Sequence, residues 1–172
     1  MKNTSVRCTF VLLLGLTGLA TTDLSDAATS TGSFHVSATV ASSCSVNALP
    51  LNFGAFDPSL GTALAGSSVL NVSCTRTTPF TVALNTGSNA GSYTSGRIMI
   101  SAGGALLTYN LYTSAPMTTV WGDGTANSAT MPGTGAGSAT AVPFTVYGRI
   151  PVQPLAVPAA SYSDTITVTV TY

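Results

Sequence analysis

The residues able to do acid–base or nucleophilic chemistry are few in this sequence. His35 is the only histidine, so a Ser-His-Asp triad would have to use it, and no G-x-S-x-G motif is present to supply a nucleophile. His35 lies within an apolar–polar alternation, where a solvent-facing strand position explains it without catalysis. The Gly-rich stretch 133–137 is not followed by the lysine of a phosphate-binding loop. The sequence therefore predicts a protein that is not an enzyme, takes no cofactor and has no small-molecule substrate.

Charge is scarce along the whole chain. Asp, Glu, Lys and Arg make up 6% of the 172 residues, against about a quarter in an average soluble chain, and the formal net charge is zero. A protein that binds nucleic acid needs many positive charges for the phosphates, so the composition excludes that class. The length predicts one domain of ordinary size, with enough residues to build a core.

The first residues have the pattern of a secretory signal peptide. Lys2 and Arg7 precede an apolar run from Phe10 to Ala20, about half the length of a membrane-spanning helix, and small residues follow it. We expect residues 1–27 to be removed, the alternative being a retained membrane anchor. The exported part has no Lys and no Glu, and its charged side chains are Arg76, Arg97, Arg149, Asp57, Asp123 and Asp164. Such an uncharged surface is weakly soluble, which suits a protein that packs against copies of itself.

Two cysteines, Cys44 and Cys74, remain in the exported part. An even pair in an exported chain predicts a disulfide, and closing this loop contributes roughly 3.5 kcal/mol in the chain-entropy model. A metal site is the alternative, but such sites usually combine closely spaced cysteines with histidines. The stretch that begins at Asp123 faintly resembles a calcium loop but lacks its other carboxylates, so we interpret it as a turn. We therefore predict a disulfide and no metal.

Alternation of apolar and polar residues with period two is the dominant pattern of the exported part. Gly, Pro, Asn and Ser clusters separate the alternating runs, and no helical period is present outside the signal peptide. Many short strands with turns between them predict an antiparallel β-sandwich. The predicted strands are Leu51–Phe53, Val69–Cys74, Phe80–Leu84, Arg97–Ser101, Leu106–Thr113, Thr119–Trp121 and Phe144–Ile150, with a last run from Tyr162 to Tyr172.

Two features between these runs have alternative interpretations. The stretch from Gly122 to Ala141 is rich in Gly, Ala, Ser and Thr, and we interpret it as a mobile loop. Trp121 is either a core residue, which we favour, or a platform on which a sugar stacks.

Both ends of the exported part have strand-like alternation. One face of the N-terminal segment, residues 28–40, carries Phe34, Val36, Ala38 and Val40, and one face of the C-terminal run carries Ile166, Val168, Val170 and Tyr172. The N-terminal segment docks either as the first strand of its own sandwich or as an added strand on the sheet edge of a neighbouring molecule. The second arrangement is head-to-tail and produces a filament. The alternation leaves both arrangements open.

Six segments form a specific set when taken in order, and they cover nearly all of the exported part: Leu51–Pro58, Val72–Thr75, Tyr109–Thr113, Val120–Gly124, Val146–Pro151 and Tyr162–Tyr172. This set resembles the spore coat protein U domain family, which includes subunits of archaic (Csu-type) chaperone–usher pili. The resemblance implies an incomplete immunoglobulin-like antiparallel β-sandwich that is completed by a donor strand. It also implies that residues 41–172 form this domain and that the Cys44–Cys74 disulfide stabilises it.

The resemblance further implies partners and roles. A periplasmic chaperone would fill the gap in the sandwich during transport, and an outer-membrane usher would exchange it for the N-terminal segment of the next pilus subunit. In the N-terminal segment, the pocket-filling side chains would be those of Phe34, Val36, Ala38 and Val40. The C-terminal strand, with Ile166, Val168, Val170 and Tyr172, would border the open groove and contact the chaperone.

We therefore expect a structural shaft or adaptor subunit of a pilus, exported through the periplasm to the cell surface, that supports surface adhesion and biofilm formation. A tip adhesin of this family normally carries an additional receptor-binding domain, which a chain of this length does not accommodate. Two alternatives remain: a coat-layer protein of a resting cell, which the family name allows, and a self-contained secreted module that binds a glycan through Trp121 or the Gly-rich loop.

Overall fold

The computed structural model describes residues 27–172, which divide into two units at Ala38 and Thr39. Residues 27–38 contain no helix or strand, and every one of them is exposed. The predicted signal peptide, residues 1–27, lies outside the described residues except for Ala27. The strand-like alternation of Phe34–Val40 therefore does not correspond to a strand in this structure.

Within residues 39–172, short strands and one 3-10 turn make up the fold. The 3-10 turn is Pro58–Leu60, capped by the side chain of Asp57. The strands are β1 (Cys44–Ala48), β2 (Leu64–Cys74), β3 (Pro79–Leu84), β4 (Arg97–Ser101), β5 (Leu106–Tyr112), β6 (Met131–Thr134), β7 (Val142–Ile150), β8 (Tyr162–Ser163) and β9 (Val168–Thr171).

The strands form two sheets that enclose the core. The larger sheet has the order β1-β2-β7-β5-β4-β8 and the smaller one the order β6-β3-β9, and all of these strand pairings are antiparallel. The longest pairing joins β2 to β7, from Leu64 opposite Ile150 to Val72 opposite Val142. The prediction of an antiparallel β-sandwich is confirmed.

The period-two pattern explains which side chains form the core. The even-numbered residues of β3, and those of β2 and β7 from Leu70 and Phe144 to the strand ends, are buried. The odd-numbered residues between them are more exposed, as expected when one face of each sheet packs on the other. The fully or nearly fully buried apolar residues of these strands are Leu70, Val72, Phe80, Val82, Leu84, Phe144, Val146 and Ile150. Trp121, with none of its surface exposed, fills the space beside Phe144, with ring centroids 6.1 Å apart.

A pair of glycines lets an irregular segment lie against the larger sheet. Gly66 and Gly148 face each other in the β2–β7 ladder. A Cβ on Gly148 would come within 2.7 Å of the Phe53 ring and 2.9 Å of Leu51. The absence of side chains here therefore leaves the room in which Leu51 and Phe53 pack over the sheet. The predicted strand Leu51–Phe53 is wrong, because these side chains pack while the backbone makes no ladder.

Three other expectations about elements need correction. The last run is not one strand: β8 pairs with β4 in the larger sheet, and β9 pairs with β3 in the smaller one. The stretch from Gly122 to Ala141, interpreted as a mobile loop, contains β6, whose Gly133 lies against the rings of Phe80 and Phe144. Thr119–Trp121 makes only isolated bridges rather than a strand. In each case the tertiary contacts, and not the local pattern, decide the structure.

Candidate binding cleft

The sandwich is open along one side, where a cleft of about 1120 Å³ reaches its core. One wall is the irregular segment 48–58, and the other is the segment 157–168, which leads through β8 into β9. Core side chains form the floor: Leu70, Leu84, Leu107, Leu111, Val146 and Ile150. We call this feature the core cleft. A gap in the cover of a hydrophobic core marks a place where another apolar segment binds.

The β9 wall of the core cleft carries an unpaired strand edge. Thr167 and Asn85 are paired through their backbones, since Asn85 N donates to Thr167 O at 3.1 Å. Hydrogen-bonded positions alternate in an antiparallel ladder, so Thr169 and Thr171 also face β3. The backbone groups of Ile166, Val168 and Val170 therefore point away from β3, toward the open edge. They are free to pair with an added strand.

The other sheet edges are either protected against pairing with an added strand or lie at the core cleft, like β9. The four edge strands are β1 and β8 in the larger sheet and β6 and β9 in the smaller one. β6 carries Pro132, which has no N–H to donate, and β8 is only two residues long. The remaining two, β1 and β9, are in contact with each other, and Ala48 and Val168 both line the core cleft. Within residues 39–172, the unprotected sheet edges therefore lie at the core cleft.

The predicted site residues of the C-terminal strand are only partly brought together. Ile166 and Val168 are half-buried and line the core cleft. Val170 is half-buried but lies outside the lining, and Tyr172 is 58% exposed. In the N-terminal segment, Phe34, Val36 and Val40 are 87%, 75% and 88% exposed, and Ala38 is exposed as well. A row of apolar side chains in water is unfavourable, so this segment carries the feature expected of a ligand for an apolar groove.

A carboxylate lies at one end of the core cleft. Asp164 accepts hydrogen bonds from Ser88 N and Oγ, Asn89 Nδ2, Thr165 N and Tyr109 Oη, at distances from 2.7 to 3.1 Å. Burial, and after it the hydrogen bond to Asp164, raises the pKa of Tyr109, so the phenol stays protonated and donates. In the sequence, only the single charge of Asp164 points to this cluster.

Sequence reasoning also missed the role of Arg97. Its side chain has no exposed surface and donates to Asn85 O at 2.9 Å, Asn110 Oδ1 at 2.7 Å and Trp121 O at 2.6 Å. Burial lowers the pKa of this guanidinium. Among the described residues, no buried side-chain nitrogen or oxygen lacks a hydrogen-bond partner. The alternating pattern around Arg97 does not indicate that its charge is buried. The neutral oxygens that accept its hydrogen bonds belong to three other segments of the chain.

The two cysteines, Trp121, Asp123 and His35 are the other residues for which the sequence suggests a chemical role. Cys44 and Cys74 form a disulfide between directly opposite positions of β1 and β2, as predicted. Trp121 is not a sugar platform, because it is fully buried and its Nε1 donates to Val82 O at 3.0 Å. Asp123 forms the predicted turn by accepting from Thr125 N and Oγ1, and these hydrogen bonds lower its pKa. His35 is exposed.

Residues 27–172 contain neither a cluster of metal-ligating side chains nor a membrane-spanning helix. No group of three or more His, Cys, Asp or Glu side chains in this range is placed to hold a metal ion. Across the same range, no helix has both the length and the apolar character needed to span a membrane.

The fold and the core cleft define an immunoglobulin-like antiparallel sandwich whose core is open along one side. The family model of the Spore Coat Protein U domain matches residues 30–169, so this chain belongs to that family. Protein U of Myxococcus xanthus is 31% identical over 161 residues, which cover 86% of this chain and 87% of the relative.

A solved structure has the same fold. It is a chain in the crystal structure of the CsuC–CsuE chaperone–tip adhesion subunit pre-assembly complex, from the archaic chaperone-usher Csu pili of Acinetobacter baumannii. The TM-score is 0.55 at 24% sequence identity, and the match covers 78% of this chain but only 41% of the other. The present chain thus corresponds to less than half of that neighbour.

Proposed function

We propose that this protein is a structural subunit of a surface fibre that is assembled by donor-strand exchange along the chaperone–usher pathway. The N-terminal segment of one subunit fills the core cleft of the next. The observation that carries the proposal is the coexistence, in one chain, of an open core cleft of about 1120 Å³ and an apolar segment with Phe34, Val36 and Val40 exposed. Each feature is unfavourable in water alone, and each supplies what the other lacks.

The physical match between the two parts supports the proposal. Phe34, Val36, Ala38 and Val40 lie on one face when the segment is extended, and burying each of the three larger side chains contributes about 1.5–3 kcal/mol. The open edge of β9 offers backbone groups at Ile166, Val168 and Val170 for a ladder of hydrogen bonds. The donor and the acceptor are different surfaces of the chain, so the contact repeats head-to-tail and produces a fibre.

The same exposure explains the partners in this proposal. An open hydrophobic groove beside an unpaired strand aggregates readily, so the exported subunit needs a partner that covers the groove until the subunit assembles. We assign this cover to a periplasmic chaperone that contacts Ile166, Val168, Val170 and Tyr172, and the exchange to an outer-membrane usher. The solved neighbour, described as a chaperone–tip adhesion subunit complex, supports the chaperone. Residues 1–27 act as the signal peptide in this scheme, and the fibre lies outside the cell.

Within such a fibre, we assign this chain to the shaft or to an adaptor position, in a structural role without enzymatic activity. A subunit in these positions must both accept a strand and donate one, and residues 41–172 and 28–40 are the parts that would do so. The fibre would hold cells to surfaces and support biofilm formation.

The test compares two single substitutions in the N-terminal segment. Val36→Asp places a charge on the face that enters the core cleft, so we expect surface fibres to disappear. Ser37→Asp adds the same charge on the opposite face and should leave fibre formation intact. Deletion of residues 28–40 should behave like Val36→Asp. The measurement is electron microscopy of the cell surface with quantification of sheared fibres, and normal fibres from the deletion variant would refute the mechanism.

A coat-layer protein of a resting cell is the second candidate. It is favoured by the description of the family and by the match to Protein U over most of both chains. Expression restricted to resting cells, with no chaperone or usher gene next to this one, would support the coat. Expression in growing cells beside both genes would support the fibre. Trp121 does not support the glycan-binding alternative, because its side chain is buried inside the core and cannot contact a sugar.

A further inference from the structure

The C-terminal segment passes from the larger to the smaller sheet between β8 and β9, and Asp164 holds the beginning of this link. Its Oδ1 accepts from the backbone and the hydroxyl of Ser88, and its Oδ2 accepts from Tyr109. Ser88 follows β3 and Tyr109 lies in β5, so one carboxylate connects the link to both sheets. A Cβ on Gly87, whose φ is +99°, would overlap this carboxylate, so the loop after β3 has the shape that admits Asp164.

Asn85 holds the other end of the same link. Its backbone N donates to Thr167 O at 3.1 Å, and its side-chain Oδ1 accepts from Thr167 N at 2.9 Å. The side-chain amide thus replaces a backbone carbonyl and extends the β3–β9 ladder by one step. Ile166, which lines the core cleft, lies between these two attachments.

We propose that Asp164 and Asn85 are positioning residues for the core cleft, which fix the wall carrying Ile166 and Val168 at the spacing that an added strand requires. This inference rests on the proposed function. Five donors of the chain itself occupy the Asp164 carboxylate, so its bonding capacity serves the wall and not the incoming strand. A wall that is already fixed loses less conformational entropy when the strand enters, and this increases affinity.

The experiment measures binding of a labelled peptide of residues 28–40 to the exported chain by fluorescence anisotropy. For Asp164→Ala we expect the dissociation constant to rise about tenfold, which corresponds to one lost hydrogen bond to a charged group. Asn85→Ala should weaken binding in the same direction. Asn85→Asp, which keeps the oxygen that accepts from Thr167, should restore affinity. The buried Trp121 reports by its fluorescence that each variant is folded.

Two controls separate positioning from a general effect on stability. Asp123→Asn removes a carboxylate that makes a similar turn but does not line the core cleft, so it should leave peptide affinity unchanged. An unchanged dissociation constant in folded Asp164→Ala, with only a lower unfolding midpoint, would show that Asp164 merely stabilises the fold and would overturn the inference. If Asp164→Ala does not fold, Asp164→Asn and Ser88→Ala remove fewer bonds and decide the same question. Failure of the unaltered chain to bind the peptide would instead contradict the proposed function.

Discussion

Arg97 is the residue on which several parts of the sandwich depend. Its guanidinium joins the end of β3, through Asn85 O, to β5, through Asn110, and to Trp121 O. It also lies over the ring of Tyr93, 5.3 Å from the centroid. A buried cation is costly unless it is hydrogen-bonded, and here three neutral oxygens accept from the guanidinium while an aromatic ring faces it.

Replacing Arg97 should therefore be severely destabilising. Arg97→Met removes this donor from Asn85 O and Trp121 O and leaves Asn110 Oδ1 with only the Leu111 N–H. We therefore expect the free energy of unfolding to fall by at least about 3 kcal/mol. Arg76→Met is the matched control, because Arg76 is exposed and its removal should change little. Urea unfolding followed by Trp121 fluorescence measures both. Equal midpoints for the two variants would show that the Arg97 network contributes no net stability.

The residues that are predictable from sequence are those whose chemistry is local. The disulfide followed from the two cysteines of the exported part, and the Asp123 turn followed from a stretch too poor in carboxylates to be a calcium loop. Asp164 and Arg97 were only charges in the composition, because their partners come from segments far away in the chain. Burial of such groups depends on tertiary structure, which a single sequence does not display.

At the scale of elements, the disulfide secures β1, which is an edge strand. β1 pairs only with β2, and the bond joins Cys44 to Cys74 across that pairing, at positions where the Cα atoms are 4.1 Å apart. Because β1 continues into the segment that forms one wall of the core cleft, the disulfide also limits how far that wall can move.

Removing the disulfide should lower stability by an amount that the loop length sets. For Cys44→Ala combined with Cys74→Ala, we expect the unfolding free energy to fall by roughly 3.5 kcal/mol, since the bond closes a loop of 30 residues. Reduction of the unaltered chain should give the same loss, while a reductant should not affect the double variant. Unfolding curves with and without reductant measure both effects. Coincident curves for the unaltered chain and the double variant in the absence of reductant would contradict the structural role of the disulfide.

Strands with strong alternation were predictable almost to the residue. β4 has the predicted bounds, and β3, β5 and β7 differ by one or two residues at an end. The final run was predicted as one strand because its alternation is unbroken, yet the chain changes sheets at Asp164–Thr167. The alternation continues through the change, since both sheets face the same core. β6 escaped prediction because its four residues include Pro132 and Gly133, which strand propensities disfavour.

At the scale of the whole molecule, the fold was predicted and the opening in it was not derivable from the pattern. Periodicity identifies faces and elements, but the absence of a strand from a sheet edge is a property of the assembled sandwich. The expectation of an incomplete sandwich came from the family resemblance, and the core cleft beside β9 agrees with it.

Moving the N-terminal segment to the other end of the chain should close the sandwich. If residues 28–40 are attached behind Tyr172 through a short flexible linker, we expect a monomer whose unfolding free energy is higher by about 3 kcal/mol or more, because Phe34, Val36 and Val40 become buried. The matched control carries Phe34→Ser, Val36→Ser and Val40→Ser in the moved segment and should gain no stability. Size-exclusion chromatography and urea unfolding give the two readouts, and a moved segment without effect would contradict the pairing.

The protected edges have a consequence for the form of any polymer. Within residues 39–172, Pro132 in β6 and the two-residue length of β8 leave one place for a neighbour's backbone, at the core cleft. A molecule that accepts one strand and donates one strand contacts two neighbours in a polymer. A polymer assembled through the core cleft alone would therefore be unbranched and would not widen laterally into the stacked ribbons of amyloid.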